Sequence, residues 1–145
     1  CGTIAAEVSS EFMSFFSHSI PLHETSAGSF SVVATLGGVE GEFLLDTGAS
    51  LVTVNAEVFK QIRRNNDKVV KVRQVGARLA SGKVQIMDIY QVESLDLGYG
   101  CDLGPVEVAV SNRGGRNLLG MSALNRVSTF AVTATPPSLA LSNCL

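Results

Sequence analysis

The sequence predicts a mainly β protein in which a sheet folds over on itself, with one or two short helices. Segments rich in strand-forming residues recur along most of the chain, and turns that contain Gly, Asn or Pro separate them. Spacing typical of helices is confined to short stretches. The chain has 145 residues, of which 46% are hydrophobic, so it can bury a real core. A change in composition near residues 27–28 separates a lead-in segment, 1–26, from one predicted domain over 27–145.

The first two strands of this domain form a predicted hairpin. Phe30–Leu36 is rich in strand formers, Gly37 and Gly38 signal a tight turn, and Val39–Leu45 returns as a strand. The second strand alternates at first and then ends on a fully apolar run, which is typical of a strand that enters the core. We therefore expect the end of this strand to be buried.

A short helix interrupts the β pattern in the middle of the chain. Asn55 is a good N-cap, and Val58, Phe59 and Ile62 then fall at helical spacing, so a helix is predicted over residues 56–64. One or two helical turns are also predicted over residues 120–126. The other predicted strands cover residues 51–54, 69–79, 83–97, 106–110, 118–119, 127–133 and 138–141, with room for a bulge in 83–97.

The bulk charge and hydropathy exclude two classes of partner. The formal net charge is −2 and the pI is about 5.6, which gives no electrostatic footprint for nucleic acid or for an anionic membrane surface. No uninterrupted apolar run reaches the roughly 20 residues that a spanning helix needs. We therefore expect neither a nucleic-acid partner nor a membrane-spanning segment in this chain.

The three cysteines leave two questions open. None of them has the C-x-x-C spacing of a zinc site, so no metal is expected. Cys101 and Cys144 either form a disulfide, which implies an oxidising compartment, or are two buried free thiols. Cys1 is either a lipid-anchor residue left after removal of a signal peptide, which implies an extracytoplasmic protein (periplasmic or lipid-anchored), or an arbitrary chain end.

The candidate catalytic residue is Asp46, which follows the apolar end of a predicted strand. Burial at that position would make the charged form of a carboxylate costly, and a group perturbed in this way can serve as a base. Gly48 lets the backbone turn sharply and brings its N–H close to the carboxylate. The hydroxyls of Thr47 and Ser50 can bond to the turn. The alternative is an ordinary Asx-type turn between two strands.

Two blocks of the sequence resemble those of retropepsin-like aspartic proteases. The run LLDTGAS at residues 44–50 resembles the active-site signature of that family, and GRNLLG at 115–120 is similar to its later block. The MSAL that follows, at 121–124, is similar to the bacterial single-domain members. The resemblance covers roughly residues 29–141.

This resemblance implies a single-domain acid-protease fold and an aspartic endopeptidase that uses no metal or cofactor. Pepsin-like enzymes carry two lobes in one longer chain, whereas only one Asp-Thr-Gly occurs here. The second catalytic aspartate would therefore be Asp46 of a second copy, in a symmetric homodimer. The two carboxylates would share one proton and would activate a water that attacks a peptide bond of the substrate.

The resemblance also assigns supporting roles by position. Around the aspartate, one hydroxyl would bond across the dimer axis and the neighbouring residues would hold the carboxylate; these residues are Thr47, Gly48, Ala49 and Ser50. The residues that would pack beneath the active-site loop are Leu118, Leu119 and Gly120. The residues at the tip of a flap, which would close over a peptide bound as an added β-strand, are Ala80, Ser81 and Gly82.

Other candidate sites have simpler explanations. His18 and His23 lie five residues apart without a neighbouring ligand, so surface histidines are favoured over a metal site. Asp88, Asp96 and Asp102 are not followed by Thr-Gly or Ser-Gly, so roles in loops or on strand surfaces are favoured over a second catalytic aspartate. Two other functions stay open: a non-catalytic peptide-binding or regulatory module of the same fold, and a β-rich lipoprotein with a structural role.

Overall fold

The computed structural model describes residues 16–65, 68–78, 81–111, 115–127, 130–142 and 144. Within these residues the chain forms a larger sheet and a separate three-stranded antiparallel sheet, with two short α-helices and one 3-10 turn. The prediction of a mainly β protein is confirmed. Cys1 and the rest of residues 1–15 lie outside the described part of the chain. In that part, no helix is long and apolar enough to cross a membrane.

Most elements lie close to their predicted positions, with ends shifted by one to three residues. In chain order they are β1 (His18–Pro21), β2 (His23–Glu24), β3 (Phe30–Leu36), β4 (Val39–Leu45), β5 (Val52–Asn55), α1 (Ala56–Asn65), β6 (Val70–Arg78), β7 (Val84–Val92), β8 (Leu95–Asp96), β9 (Val106–Ser111), β10 (Asn117–Leu119), α2 (Met121–Leu124), the 3-10 turn (Asn125–Val127), β11 (Phe130–Ala134) and β12 (Pro137–Leu141). Residues 79 and 128–129, which were predicted within strands, lie outside the described residues.

The prediction of one long strand over 83–97 is wrong, because the segment forms two strands. β7 ends at Val92, and β8 then pairs with β3 rather than with the partners of β7. The carbonyl of Ser94, between the two strands, accepts a hydrogen bond from Gly37 N at 2.9 Å, in the β3–β4 turn. This bond joins residues far apart in sequence, so the local pattern does not reveal the break. The bulge lies in β6 instead.

The placement of β10 between β4 and β5 is the feature that positions the candidate site. The strand order of the larger sheet is β2-β3-β4-β10-β5-β9-β7-β6, and β8 pairs separately with β3. β10 runs parallel to β4, where Leu118 lies opposite Leu44, and antiparallel to β5, where Leu118 lies opposite Thr53. The loop that joins β4 to β5 therefore has to cross the end of β10.

The helix α1 packs on the sheet through the residues that its spacing predicted. Phe59 and Ile62 are buried in the core, and Asn55 caps the helix, since its Oδ1 accepts a hydrogen bond from Val58 N at 2.9 Å. The Phe59 ring also packs on the ring of Tyr90 in β7, with centroids 4.3 Å apart. Burial of a large apolar side chain is worth about 1.5–3 kcal/mol, so these contacts fix α1 beside β5 and β7.

Cys101 and Cys144 form a disulfide, which decides between the two alternatives left by the sequence. Their Cα atoms are 4.9 Å apart, within the usual range for a disulfide, and Cys101 is fully buried. The bond ties the segment after β12 to the loop that follows β8. β12 itself pairs with both β1 and β11, so the C-terminal part of the chain is held by a sheet and by a covalent bond.

Candidate active site

Asp46 begins the loop that joins β4 to β5, and three hydrogen bonds fix its conformation. Asp46 N donates to the carbonyl of Leu119 at 3.1 Å, which extends the pairing of β4 with β10. Gly48 N donates to Asp46 Oδ1 at 3.0 Å, and Ala49 N donates to the carbonyl of Asp46 at 3.2 Å. The turn thus has the Asx geometry of the simpler alternative. That geometry also orients the carboxylate, so it is compatible with a catalytic role.

The later sequence block contacts the second half of the same loop. Met121 N donates to the carbonyl of Ala49 at 2.8 Å, and Ser122 N donates to the carbonyl of Ser50 at 2.8 Å. These two donors belong to the first turn of α2, where backbone N–H groups have no partner within the helix. The loop carbonyls therefore accept hydrogen bonds from the N–H groups at the start of α2. In turn, α2 fixes the conformation of the loop.

Gly120 lies between β10 and α2, directly against the loop. A Cβ atom at this position would overlap with the carbonyl oxygens of Leu51 and Ala49, which are backbone atoms and cannot move alone. Leu119, the preceding residue, is fully buried, whereas Leu118 is partly buried. The structure therefore brings Leu119 and Gly120 against the Asp46 loop, whereas Leu118 pairs with the strands on either side of that loop.

Ser122 is a further structural residue of the site, and the sequence analysis did not identify its role. Its Oγ accepts a hydrogen bond from Val52 N at 3.2 Å and donates to the carbonyl of Glu107 at 3.4 Å. It thus links α2 to the first residue of β5 and to β9. The sequence carries no local signal for this role, because both partners of the hydroxyl lie far from Ser122 in the chain.

The Asp46 loop is more exposed in the single chain than the sequence predicted. Phe43 is buried, but Leu44 and Leu45 are only partly buried, and Asp46 is partly buried as well. Thr47, Gly48 and Ser50 are exposed. The expectation of a buried end of β4 is therefore wrong for one isolated chain. The physical reason is that no described segment of the chain fully covers the loop at the end of β4.

A cleft of about 460 Å³ lies between this loop and the β6–β7 hairpin. Leu51 lines it from the loop, Val75 and Met87 line it from the hairpin, and Ala109 of β9 is also part of its lining. Val75 and Met87 lie directly opposite each other in the hairpin. The cleft begins at Ala49, three residues after the aspartate, so its mostly apolar lining is adjacent to Asp46.

The β6–β7 hairpin ends in the turn that the sequence analysis assigned to the flap. Its last paired residues are Arg78 and Val84. Ser81 and Gly82 lie in the turn and are exposed, and Gly82 has φ +87°, a conformation that favours glycine. Ala80 lies outside the described residues. The hairpin thus borders the cleft along its strands and carries the predicted flap residues at its tip.

An ion pair lies at the border of this cleft. Arg73 is the charged residue among the described lining residues, and its Nη1 donates to Glu107 Oε2 at 2.7 Å while Nη2 lies 2.6 Å from Oε1. Paired contacts of this kind between guanidinium and carboxylate are the strong form of ion pair. The hydrogen bond from Arg73 holds the pKa of Glu107 below its ordinary value of 4.5, although partial burial opposes the shift. Both groups are therefore charged at neutral pH.

The remaining candidate residues make local contacts away from the Asp46 loop. Asp88 lies 3.1 Å from Lys71 Nζ, and its pKa is lowered by hydrogen bonds from Gln74 and Lys71. Asp96 Oδ1 accepts a bond from Gly98 N at 2.8 Å. The other contacts are Asp102 with Ser94 Oγ at 2.8 Å and His18 Nδ1 with Ser17 Oγ at 2.8 Å. No group of three or more metal-ligating side chains occurs in the described ranges.

Comparison with known proteins shows which family and which solved structure this chain resembles. The model of the family described as "gag-polyprotein putative aspartyl protease" matches residues 32–126, which include both the Asp46 loop and the block at 115–120. In structure the chain is similar to a retropepsin-like aspartic protease from Rickettsia conorii, with a TM-score of 0.65 and 22% sequence identity over 86% of this chain and 91% of that chain. A search of curated protein sequences found no match.

The fold and the loop define the class of molecule as a single-lobe acid-protease fold with one Asp-Thr-Gly turn. The chain belongs to the retropepsin-like aspartyl protease family, because the family match spans more than half of its length. The resemblance predicted from LLDTGAS and GRNLLG is thereby confirmed for family and fold. A structural likeness at 22% identity establishes the fold alone and not the activity.

Proposed function

We propose that this protein is an aspartic endopeptidase that acts as a homodimer, with one Asp46 from each copy. The observation that carries the proposal is the loop itself: the Asp46 carboxylate is oriented by Gly48 N at 3.0 Å, on a loop that β10 and α2 fix, beside an apolar cleft. Membership of an aspartyl protease family supports a protease function. The 145 residues contain one Asp-Thr-Gly, and in the proposed dimer the second carboxylate comes from another copy.

The exposure of the loop in one chain supports a partner on this side. Asp46 is partly buried, and Thr47 and Gly48 are exposed. A second copy packed here by two-fold symmetry would cover both loops and bring the two carboxylates together. Thr47, whose side chain is exposed, is available to bond to the backbone of the partner. Bulk water would then be excluded from the site, which strengthens electrostatic interactions within it.

The chemistry follows from two carboxylates at short separation. They cannot both ionise there, so the pair holds one proton, as is general for aspartic proteases. The ionised carboxylate acts as general base on a water held between the two, and the protonated one donates a hydrogen bond to the carbonyl oxygen of the peptide. The water oxygen bonds to the carbonyl carbon, and the C–N bond breaks as the amine takes a proton. Cleavage is expected to be fastest at mildly acidic pH, where the pair holds one proton.

The peptide is proposed to bind between the Asp46 loop and the hairpin. The flap formed by Ala80, Ser81 and Gly82 closes over it, and its main chain pairs as an added strand. One of its side chains enters the cleft that begins at Ala49. The exposed turn of the hairpin at Ser81 and Gly82 supports this role, because a closing flap has to be unobstructed by the rest of the chain.

Replacement of Asp46 by Asn tests the proposal most directly. The amide cannot act as a base but can still accept the hydrogen bond from Gly48 N, so the turn should be preserved. We expect the cleavage rate of an unstructured peptide library to fall by at least about 10²–10⁴-fold, with an unchanged far-UV circular dichroism spectrum. Mass spectrometry of the digested library measures the cleavage.

The matched control is Asp96→Asn, which also neutralises one aspartate and keeps the acceptor for Gly98 N. It lies on β8, away from the loop, and should cleave like the parent protein. If Asp46→Asn cleaved as fast as the parent, the proposal would be refuted. A folded parent protein that binds peptides without cutting them would instead support a non-catalytic peptide-binding module.

A further inference from the structure

The cleft beside Asp46 has a mostly apolar lining, which also includes Ser50, Thr53 and the charged Arg73. Leu51, Val75, Met87 and Ala109 present hydrocarbon, whereas Arg73 presents a guanidinium. A cation that lines a substrate cleft would ordinarily favour an acidic side chain of the substrate, because charge-assisted hydrogen bonds to carboxylates are strong. The effect of Arg73 therefore depends on whether its charge is available.

The guanidinium of Arg73 is already occupied by Glu107. Both oxygens of that carboxylate contact the guanidinium, at 2.7 and 2.6 Å. The pair spans the sheet diagonally, since Arg73 of β6 lies opposite Ile89 of β7, and Glu107 of β9 lies opposite Gln91 of the same strand. Glu107 is not among the residues that line the cleft. It thus neutralises Arg73 from outside the space that a substrate side chain would fill.

The pairing of Arg73 with Glu107 changes which substrate side chains the cleft can bind. The pair has no net charge, so an incoming carboxylate gains little from the guanidinium and is repelled by Glu107. The aliphatic stem of Arg73 remains as part of the wall, as is common for long cationic side chains. An aliphatic side chain of the substrate would meet this stem together with Val75 and Met87, and would bury apolar surface there.

We propose that Glu107 acts as a positioning residue that keeps Arg73 paired, so that the cleft beside Asp46 selects peptides with an aliphatic side chain and rejects those with an acidic one. This inference rests on the proposed function, because it names the substrate class of the same site. Glu107 does not touch the substrate. Arg73 is the specificity-determining residue, and its preference is set by its partner.

The test compares peptides that differ at one position at a time on either side of the cut bond. The parent protein should show a kcat/KM at least about tenfold higher for Leu than for Glu at the position that enters the cleft. In Glu107→Gln the guanidinium is released, and the Glu peptide should gain about tenfold or more relative to the Leu peptide. The higher kcat/KM of the Glu peptide should come from a lower KM, because the new interaction forms when the peptide binds in the ground state.

The matched control removes the charge and keeps the stem. In the double variant Glu107→Gln with Arg73→Met, the gain for the Glu peptide should disappear while the Leu peptide is still cut. If the ion pair had only a structural role, Glu107→Gln would change kcat/KM by the same factor for both peptides. An unchanged Leu-to-Glu ratio in Glu107→Gln would overturn the inference, as would a parent protein that prefers the Glu peptide.

Peptide affinities measured in the Asp46→Asn background separate this inference from the proposed function. Fluorescence anisotropy with labelled Leu and Glu peptides should show the same preference and the same shift on Glu107→Gln without any cleavage. If the preference and the shift are seen but the parent protein cuts nothing, the proposed function fails and the substrate preference stands. If the parent protein cuts peptides and the ratio does not move, only the substrate preference fails.

Discussion

The orientation of the Asp46 carboxylate depends on two glycines that act in different ways. Gly48 offers its N–H to Asp46 Oδ1, and Gly120 lets β10 and α2 approach the loop closely. The second contribution is steric rather than conformational, since the space that a Cβ would need is filled by the carbonyl oxygens of Ala49 and Leu51. The absence of a Cβ at Gly120 therefore allows α2 to lie close enough to donate hydrogen bonds to the loop carbonyls.

Gly120→Ala is expected to destabilise the protein by about 3 kcal/mol, the upper part of the range for overpacking. The added methyl group overlaps with backbone, so the loop or α2 has to shift, and peptide cleavage should fall as well. Urea unfolding at unchanged m-value measures the free energy of unfolding. Gly76→Ala is the control: its nearest neighbour is a methyl group of Val84, 3.1 Å away on an exposed side chain that can move. Equal losses in both variants would contradict this explanation.

At the scale of elements, the site is built from segments that lie far apart in sequence. β4 and β5 flank the Asp46 loop, but β10, about seventy residues later, separates them and pairs with both. The C-terminal segment is held in a similar way, because β12 pairs with β1, and Cys144 is bonded to Cys101 across 43 residues. The described elements thus depend on long-range pairing for their positions.

Cys144→Ser is expected to lower the free energy of unfolding by about 2–4 kcal/mol, because a cross-link of this length restricts the unfolded chain strongly. Thermal or urea unfolding of the parent protein and of the variant measures the loss. A reductant should lower the stability of the parent protein by a similar amount and should leave the variant unchanged. If neither the substitution nor the reductant lowered the free energy of unfolding, the disulfide would contribute nothing to stability.

At the scale of the whole molecule, one chain has the retropepsin-like fold and supplies half of the proposed catalytic pair. Its larger sheet carries the loop and the cleft, and its smaller sheet joins β1, β12 and β11. Thr47, Gly48 and Ser50 of the Asp46 loop are exposed in the single chain. The proposed activity is therefore a property of two chains, and it should respond to the composition of the pair.

Mixing the parent protein with an excess of Asp46→Asn tests this dependence. When the subunits exchange at random, a ninefold excess of the variant leaves about one tenth of the parent chains in a pair with two Asp46 residues. The activity per parent chain should fall to about that fraction. In the same mixture made with Asp96→Asn, which stays active, the activity per total chain should be unchanged. Constant activity per parent chain in an exchanging mixture would place the whole active site within one chain.

The local features of this protein could be predicted from its amino-acid sequence alone. Strand and helix periods placed β3, β4 and α1, and the cap at Asn55 was readable because a cap and its helix are adjacent in sequence. The Asp-Thr-Gly motif at Asp46, and its single occurrence in the chain, could likewise be found in the sequence. Family and fold followed from the blocks at 44–50 and 115–120, and the comparisons confirm them.

Contacts between distant segments could be seen only in the folded structure. It placed β10 between β4 and β5, joined Cys101 to Cys144, and divided 83–97 into two strands through a bond to the β3–β4 turn. It also paired Arg73 with Glu107 and left the end of β4 only partly buried in one chain. Such pairings depend on the register between strands that are far apart in sequence, and a local pattern of apolar and polar residues fits more than one register.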